Sequence, residues 1–360
     1  MREIIFDSFA GGKHPDPHYR FDRRRPVGRN RPQPWEHVVS VSGGKDSTAL
    51  YLLAIERGMP FTAVFADTGH EHPATYEYIA QLAERAGGPP ILTVKADFTE
   101  AMARKRAFIQ AKWPAAGVPI DRVERAAALM RPTGIPFLDL VMVKGRFPGA
   151  KSRFCTDELK IAPMWFGVQK PVLEAGRSLI SWQGVRAEES LVRRQMLRWQ
   201  RVNLAPFSLP NREREAAWAL RAYTYRPIHN WLLADVFAMH ARHGIAPNPL
   251  YGWGAERVGC WPCIFAKKDE IRLISQIDPS AIDRVEEWER IAGDVAKRGN
   301  ATFFCAADDP LYQRGDIGTA DQFGIRARVE WSKTTRGGVQ YDLMAKFEAR
   351  ASCGEVGQCE

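Results

Sequence analysis

Six consecutive residues, Ser42-Gly43-Gly44-Lys45-Asp46-Ser47, carry the chemistry that the rest of the chain must position. The two glycines let the main chain come close to a ligand, and Ser42 and Ser47 bring hydroxyls that donate to anionic oxygens. Lys45 adds a positive charge. Asp46 would repel a bare polyanion, so its carboxylate requires either a magnesium ion or a place capping a helix N-terminus. An ordinary glycine-rich turn is the plainer alternative. The spacing excludes two familiar phosphate loops, because the Walker pattern needs four residues between Gly and Gly-Lys and no GxGxxG is present.

The flanking sequence says what holds this loop. A β-branched run, Val38-Val39-Ser40-Val41, stops at it, and Leu50, Leu53 and Ala54 follow at helical spacing. The loop therefore joins a strand tip to a helix N-terminus, whose unpaired N–H groups attract anions. The alternation continues, with strands expected over 38–42, 61–66, 91–94 and 179–182 and helices over 47–57 and 74–86. Such alternation predicts an α/β fold with a parallel sheet and right-handed crossovers, the ligand lying at the carboxyl ends of the strands. Residues 99–131 read as helical and basic (Arg104, Lys105, Arg106, Lys112), residues 270–330 as helices without evident chemistry, and residues 1–36 as an irregular Arg-rich arm. The expected division is an arm over 1–36, a nucleotide-binding domain over 37–235 and a helical region with a cysteine metal site over 236–360.

Three more polar clusters accompany the first. Asp67-Thr68-Gly69-His70-Glu71-His72-Pro73-Ala74-Thr75 ends the second strand, with Asp67 and Thr68 able to reach a nucleotide and Glu71 to cap the next helix. Arg153-Phe154-Cys155-Thr156-Asp157-Glu158-Leu159-Lys160 is a basic segment, and Gly184-Val185-Arg186-Ala187-Glu188-Glu189-Ser190 follows a strand, which makes Arg186 a candidate anion contact. Together these resemble a known family. SGGxDS is similar to the PP-loop of ATP pyrophosphatases, the adenine nucleotide alpha-hydrolase superfamily. DTGxExPxT, RxCTxxLKxxP and GVRxxES resemble successive motifs of its phosphoadenosine phosphosulfate (PAPS) reductase branch. The resemblance implies a Rossmann-like, HUP-type fold and a loop that grips a triphosphate while a nucleophile attacks the α-phosphorus. It implies ATP and Mg2+ as cofactors, with Ser42, Gly43, Gly44, Lys45, Asp46, Ser47, Asp67, Thr68, Arg153, Lys160 and Arg186 in nucleotide contact. Of these, Lys45, Asp46 and Arg186 would be the catalytic residues.

The six cysteines raise a second chemistry. Cys260 and Cys263 form a C-x-x-C pair that fits one metal or a redox couple, and Cys305 sits in an apolar run that reads as core. Cys155 lies on the basic segment, while Cys353 and Cys359 fall near the end of the sequence. In the iron–sulfur adenylylsulfate reductases a Cys-Cys pair on the equivalent segment joins a C-x-x-C to bind a [4Fe–4S] cluster. Here Phe154 stands where one cysteine of that pair would be, so the resemblance supplies only Cys155, Cys260 and Cys263 as ligands, with the fourth from Cys353 or Cys359. Zn2+ held by Cys260, Cys263, Cys353 and Cys359 is the alternative, and reduced free thiols a third. The sequence is also similar to the iron–sulfur protein of DNA phosphorothioation systems.

A net charge of +9 favours polyanionic partners, without separating nucleic acid from nucleotides. No apolar run approaches the roughly 20 residues that cross a bilayer, and Met1-Arg2-Glu3-Ile4-Ile5-Phe6-Asp7 is no secretory signal, so no membrane partner and a cytoplasmic location are expected. The reductases that the sequence resembles commonly depart from SGGKDS and carry an ECGxH segment. This chain keeps the loop and has Ser352-Cys353-Gly354-Glu355 instead. The expected function is thus an adenylating ATP-pyrophosphatase in sulfur transfer or nucleic-acid modification, with an adenine nucleotide, DNA or tRNA and a sulfur donor protein as partners. A sulfite-producing PAPS or adenylylsulfate reductase is the alternative.

Overall fold

Val38, Val39 and Val41 lie at the centre of a six-stranded sheet because the strand they form is covered on both faces. The computed structural model describes residues 35–149, 152–202, 221–304 and 318–334. Nearly all of the Arg-rich arm, and Cys305, Cys353 and Cys359, lie outside the described residues. The chain packs as two units, the first holding residues up to Asp97 together with Phe154–Trp261, the second Phe98–Arg153 together with the residues from Pro262 on.

The first unit contains the whole sheet. Its strands are β1 (Trp35–Val41), β2 (Phe61–Asp67), β3 (Ile91–Lys95), β4 (Ser178–Trp182), β5 (Trp199–Arg201) and β6 (Ala222–Tyr225), in the order β3-β2-β1-β4-β6-β5. Every pairing is parallel except β5 with β6. The expected α/β fold is therefore present, a Rossmann-like sheet flanked by helices. Alternation along β1 turns Val38 toward Val64, Trp165, Leu173 and Leu179, under a helical run over 154–174 that loosens into π-turns at Asp157–Ile161 and Trp165–Gln169. Val39 and Val41 face the other way, against the helices Lys45–Glu56 and Leu233–Arg242. The chain goes from β1 out to β2 and β3, then returns to β4 on the opposite side of β1. The loops after β1 and β4 therefore adjoin at a topological switch point.

Two boundaries differ by more than one residue from the sequence reading. The first strand starts at Trp35, since Arg177 pairs with Glu36 at 2.7 Å where β1 runs beside β4. The first helix begins at Lys45, with Gly44 as an extended N-cap (φ −83°, ψ 159°), so the loop is tighter than expected. No side chain caps this helix, which removes capping as the explanation for Asp46.

The second unit is helical. Thr99–Lys112 and Ile120–Leu129 realise the basic stretch as two helices, separated where Gly117 adopts φ +75°. Pro136–Lys144, Lys268–Ile277, Pro279–Asp294 and Ile325–Lys333 complete it around Phe137, Phe147, Trp288 and Phe303, with Phe137 stacked on Trp288 at 5.6 Å. Glu289, only 3% exposed, ties this core together by accepting from the N–H groups of Phe303 (2.7 Å) and Ile325 (3.0 Å). Burial pushes its pKa up from 4.5 to about 7, against the pull of those donors. A carboxyl raised in this way contributes stability that is complete below its unfolded pKa and lost as pH rises through the folded value. Urea titrations at about pH 5 and about pH 8 should therefore show the wild-type chain losing more stability than Glu289→Gln, whose side chain has no charge to bury. Equal losses in both would contradict this.

Candidate functional site

The loop after β1 is held by its own hydroxyls. Ser47 Oγ accepts from the Ser42 N–H and the Ser42 hydroxyl, each at 3.0 Å, and donates to the Gly44 carbonyl at 3.0 Å. Gly43 has φ +73°, and a Cβ there would stand 2.9 Å from Thr75 Cγ2 and 3.3 Å from Ile79 Cδ1, so only glycine lets the loop sit on the helix Pro73–Ala86. Lys45 Nζ lies 3.5 Å from the Asp46 carboxylate and 5.1 Å from the centre of the Tyr251 ring.

Asp46 finds its main partner on the neighbouring loop. Arg186, 4% exposed at the end of β4, donates Nε to Asp46 Oδ1 and Nη1 to Glu188 Oε2. Burial works against the guanidinium charge, but its hydrogen bonds to the Asp46 and Glu188 carboxylates more than offset this and hold the proton tighter than usual. A buried arginine is thus the partner of the acidic group in the loop. The two loops meet closely because of Gly184, where a Cβ would fall 3.2 Å from the Asp46 carbonyl oxygen and 3.3 Å from Ser47 Cα. Those neighbours are main chain and have no rotamer to yield. Gly184→Ala should therefore part the loops, costing about 1–3 kcal/mol in a denaturant titration. An unchanged unfolding midpoint would show that the loops absorb the added carbon.

At the end of β2 the expected contacts are already engaged. Asp67, 5% exposed, accepts from Gly69 N (2.8 Å), the Tyr76 hydroxyl (2.8 Å) and Lys95 Nζ (2.6 Å). Although burial pushes its pKa up, these donors bring it below the usual carboxylate value. Thr68 is fully buried and donates to Glu71 Oε1 at 2.8 Å, and Glu71 also accepts from Thr68 N and Tyr76. Glu71 does not cap the next helix as expected. His72 does, through Nδ1 and the N–H of Ala74 at 3.0 Å, because Glu71 is spent closing its own turn.

Lys160 lies half-buried in the first unit on the first π-turn, next to fully buried Leu159. Arg153 belongs to the second unit, exposed, its guanidinium 5.1 Å above the Phe265 ring. Cys155 and Cys260 are in the first unit, and Cys260 Sγ lies 3.8 Å from Thr68 Oγ1 while its main chain bridges Glu71. Cys263 falls in the second unit. Among the described residues no disulfide forms and no group of three or more His, Cys, Asp or Glu side chains is gathered to hold a metal.

Three residues that contact the loop escaped the sequence reading. The Lys45 N–H donates to the Tyr251 hydroxyl (3.0 Å), Asn248 Nδ2 donates to the Gly43 carbonyl (3.2 Å), and His240 Nε2 meets the Lys45 carbonyl at 2.9 Å. The Asn248-Pro249 turn was a visible signal of local structure, but its partner lies 205 residues away.

Comparison with known proteins adds the following. The sequence model of a family described as "Phosphoadenosine phosphosulfate reductase domain" matches residues 36–266. An uncharacterized 37.8 kDa protein of Escherichia phage 186 is 45% identical over 337 residues, covering 90% of this chain and 96% of that one. An uncharacterized nin region protein of Escherichia phage lambda is 30% identical over 157 residues, covering 42% of this chain and 49% of the other. A crystal structure of phosphoadenylyl-sulfate (PAPS) reductase from Candida auris in phosphate complex aligns with 63% of this chain and 82% of its own at 16% identity and a TM-score of 0.36. Among the described residues no helix is long and apolar enough to cross a membrane.

Proposed function

We propose that this chain, which belongs to the phosphoadenosine phosphosulfate reductase domain family, holds ATP on the loop 42–47 and acts as an adenylating ATP-pyrophosphatase. One observation carries the reading: a complete Ser-Gly-Gly-Lys-Asp-Ser loop opens a 12-residue helix at the sheet's switch point, and its single acidic side chain is neutralised by Arg186. A loop so balanced presents main-chain N–H groups and Lys45 to a polyanion without a bare carboxylate opposing it.

The chemistry follows from the charge. A nucleophile on the acceptor attacks the α-phosphorus, the bond to the β-phosphate oxygen breaks, and pyrophosphate leaves with its charge spread over the loop amides and Lys45. Magnesium arrives with the triphosphate as part of the substrate. Arg186 keeps Asp46 and the loop in register, Asp67 and Thr68 shape the neighbouring strand end, and Arg153 and Lys160 supply positive charge to the anionic partner. The acceptor becomes adenylated, and a sulfur donor then displaces AMP from it. The excess of positive charge fits DNA or tRNA as that acceptor. No step is assigned to a metal cluster, and a visible absorbance scan of protein purified without oxygen reads directly whether Cys155, Cys260 and Cys263 join one.

The family itself favours a second reading, reduction of a sulfonucleotide to sulfite. ATP–pyrophosphate exchange in the presence of nucleic acid tests the first reading, and sulfite release from PAPS with thioredoxin tests the second. Exchange without sulfite supports the proposal, and sulfite without exchange overturns it.

A further inference from the structure

The N–H of Lys45 is the first main-chain donor of the helix Lys45–Glu56, the kind of group that a phosphate oxygen takes at a helix N-terminus. Here its acceptor is the Tyr251 hydroxyl, at 3.0 Å. The same side chain lies under the Lys45 ammonium, 5.1 Å from ring centre to Nζ. One tyrosine therefore meets both the amide and the ammonium of the residue that the proposed function assigns to phosphate. A Cβ on Gly44 would stand 3.4 Å from that hydroxyl, so the loop has come up against it. The turn Pro249–Tyr251 that carries it is fixed independently, by Asn248 accepting from Leu250 N (3.0 Å) and donating to Gly43. Burial pushes the phenol pKa up to about 12, so the oxygen is a neutral acceptor.

We infer that the Tyr251 hydroxyl occupies the seat of a phosphate oxygen, and that binding of a polyphosphate exchanges one oxygen for the other. The inference rests on the loop being the triphosphate site. A charged phosphate oxygen is the stronger acceptor for an N–H and for Lys45, so the exchange runs toward the ligand. Until it does, the phenol keeps a buried donor satisfied, and each ligand must first displace it. Tyr251 is thus a positioning residue whose contact lowers affinity, the reverse of a simple brace.

The two roles differ in sign. In calorimetry on the full chain, Tyr251→Phe keeps the ring under Lys45 and removes the competing oxygen together with its main-chain contact to Val258, so inorganic tripolyphosphate should bind about fivefold tighter, the worth of one net hydrogen bond at Lys45. A brace would give unchanged or weaker binding, and either outcome overturns the inference. Lys45→Ala separates the failures. If wild-type protein binds tripolyphosphate, Lys45→Ala does not, and Tyr251→Phe is no tighter, this inference alone falls. If wild-type protein binds none, the loop reading falls and takes this one with it. A structure of wild-type protein with tripolyphosphate gives a test that needs no variant. A ligand oxygen on Lys45 N with Tyr251 withdrawn supports the exchange, and a phenol still seated there overturns it.

Discussion

Replacing Arg186 by Met is expected to cost about 3–5 kcal/mol of unfolding free energy, the usual penalty for stripping one partner from a buried ion pair. The guanidinium is 4% exposed, and its loss would leave the Asp46 carboxylate, 15% exposed, with only Lys45 at 3.5 Å to answer it. Glu188 is 45% exposed and can turn to water, so the penalty belongs to Asp46. Asp46→Asn should remove most of it, because the second change takes away the charge that the first stranded. A double-mutant cycle in urea should then give a coupling of roughly 1–3 kcal/mol, and a coupling near zero would mean that Arg186 stabilises the loop by packing alone. The double variant should also bind nucleotide poorly, since stability is recovered without the loop's original charge balance.

Lys45→Ala is expected to act on the opposite property. Its ammonium faces the Tyr251 ring and an Asp46 that Arg186 already holds, so the fold needs it little and stability should change by about 1 kcal/mol or less. ATP affinity should fall on the order of a hundredfold, near 2.7 kcal/mol, because no other lysine lies within the loop 42–47. Calorimetry beside a thermal melt separates the two effects. A variant that melts normally and still binds ATP as tightly as wild-type protein would remove Lys45 from the site.

Residues close in sequence announced much of this arrangement. Val38, Val39 and Val41 marked a strand, and the glycines after them marked the turn into a helix, because both signals are local backbone preferences. The sequence also identified Arg186 as an anion contact, yet one anion it holds is Asp46, 140 residues earlier in the chain. Such pairings depend on which strands neighbour one another, and no periodicity encodes that β4 returns beside β1. The same reason hid Tyr251, Asn248 and His240, which only the fold sets against the loop. Glu71 misled for a different reason, since an acid just before a helix can cap it or close its own turn, and only Thr68 and Tyr76 decide which.

A crystal structure of the protein with ATP and magnesium tests the nucleotide reading most directly. The β- and γ-phosphates should lie on the main-chain N–H groups of residues 43–47 beside Lys45, with the α-phosphate open to an attacking acceptor. An empty loop under these conditions, together with tight binding of adenosine phosphosulfate in its place, would contradict the account.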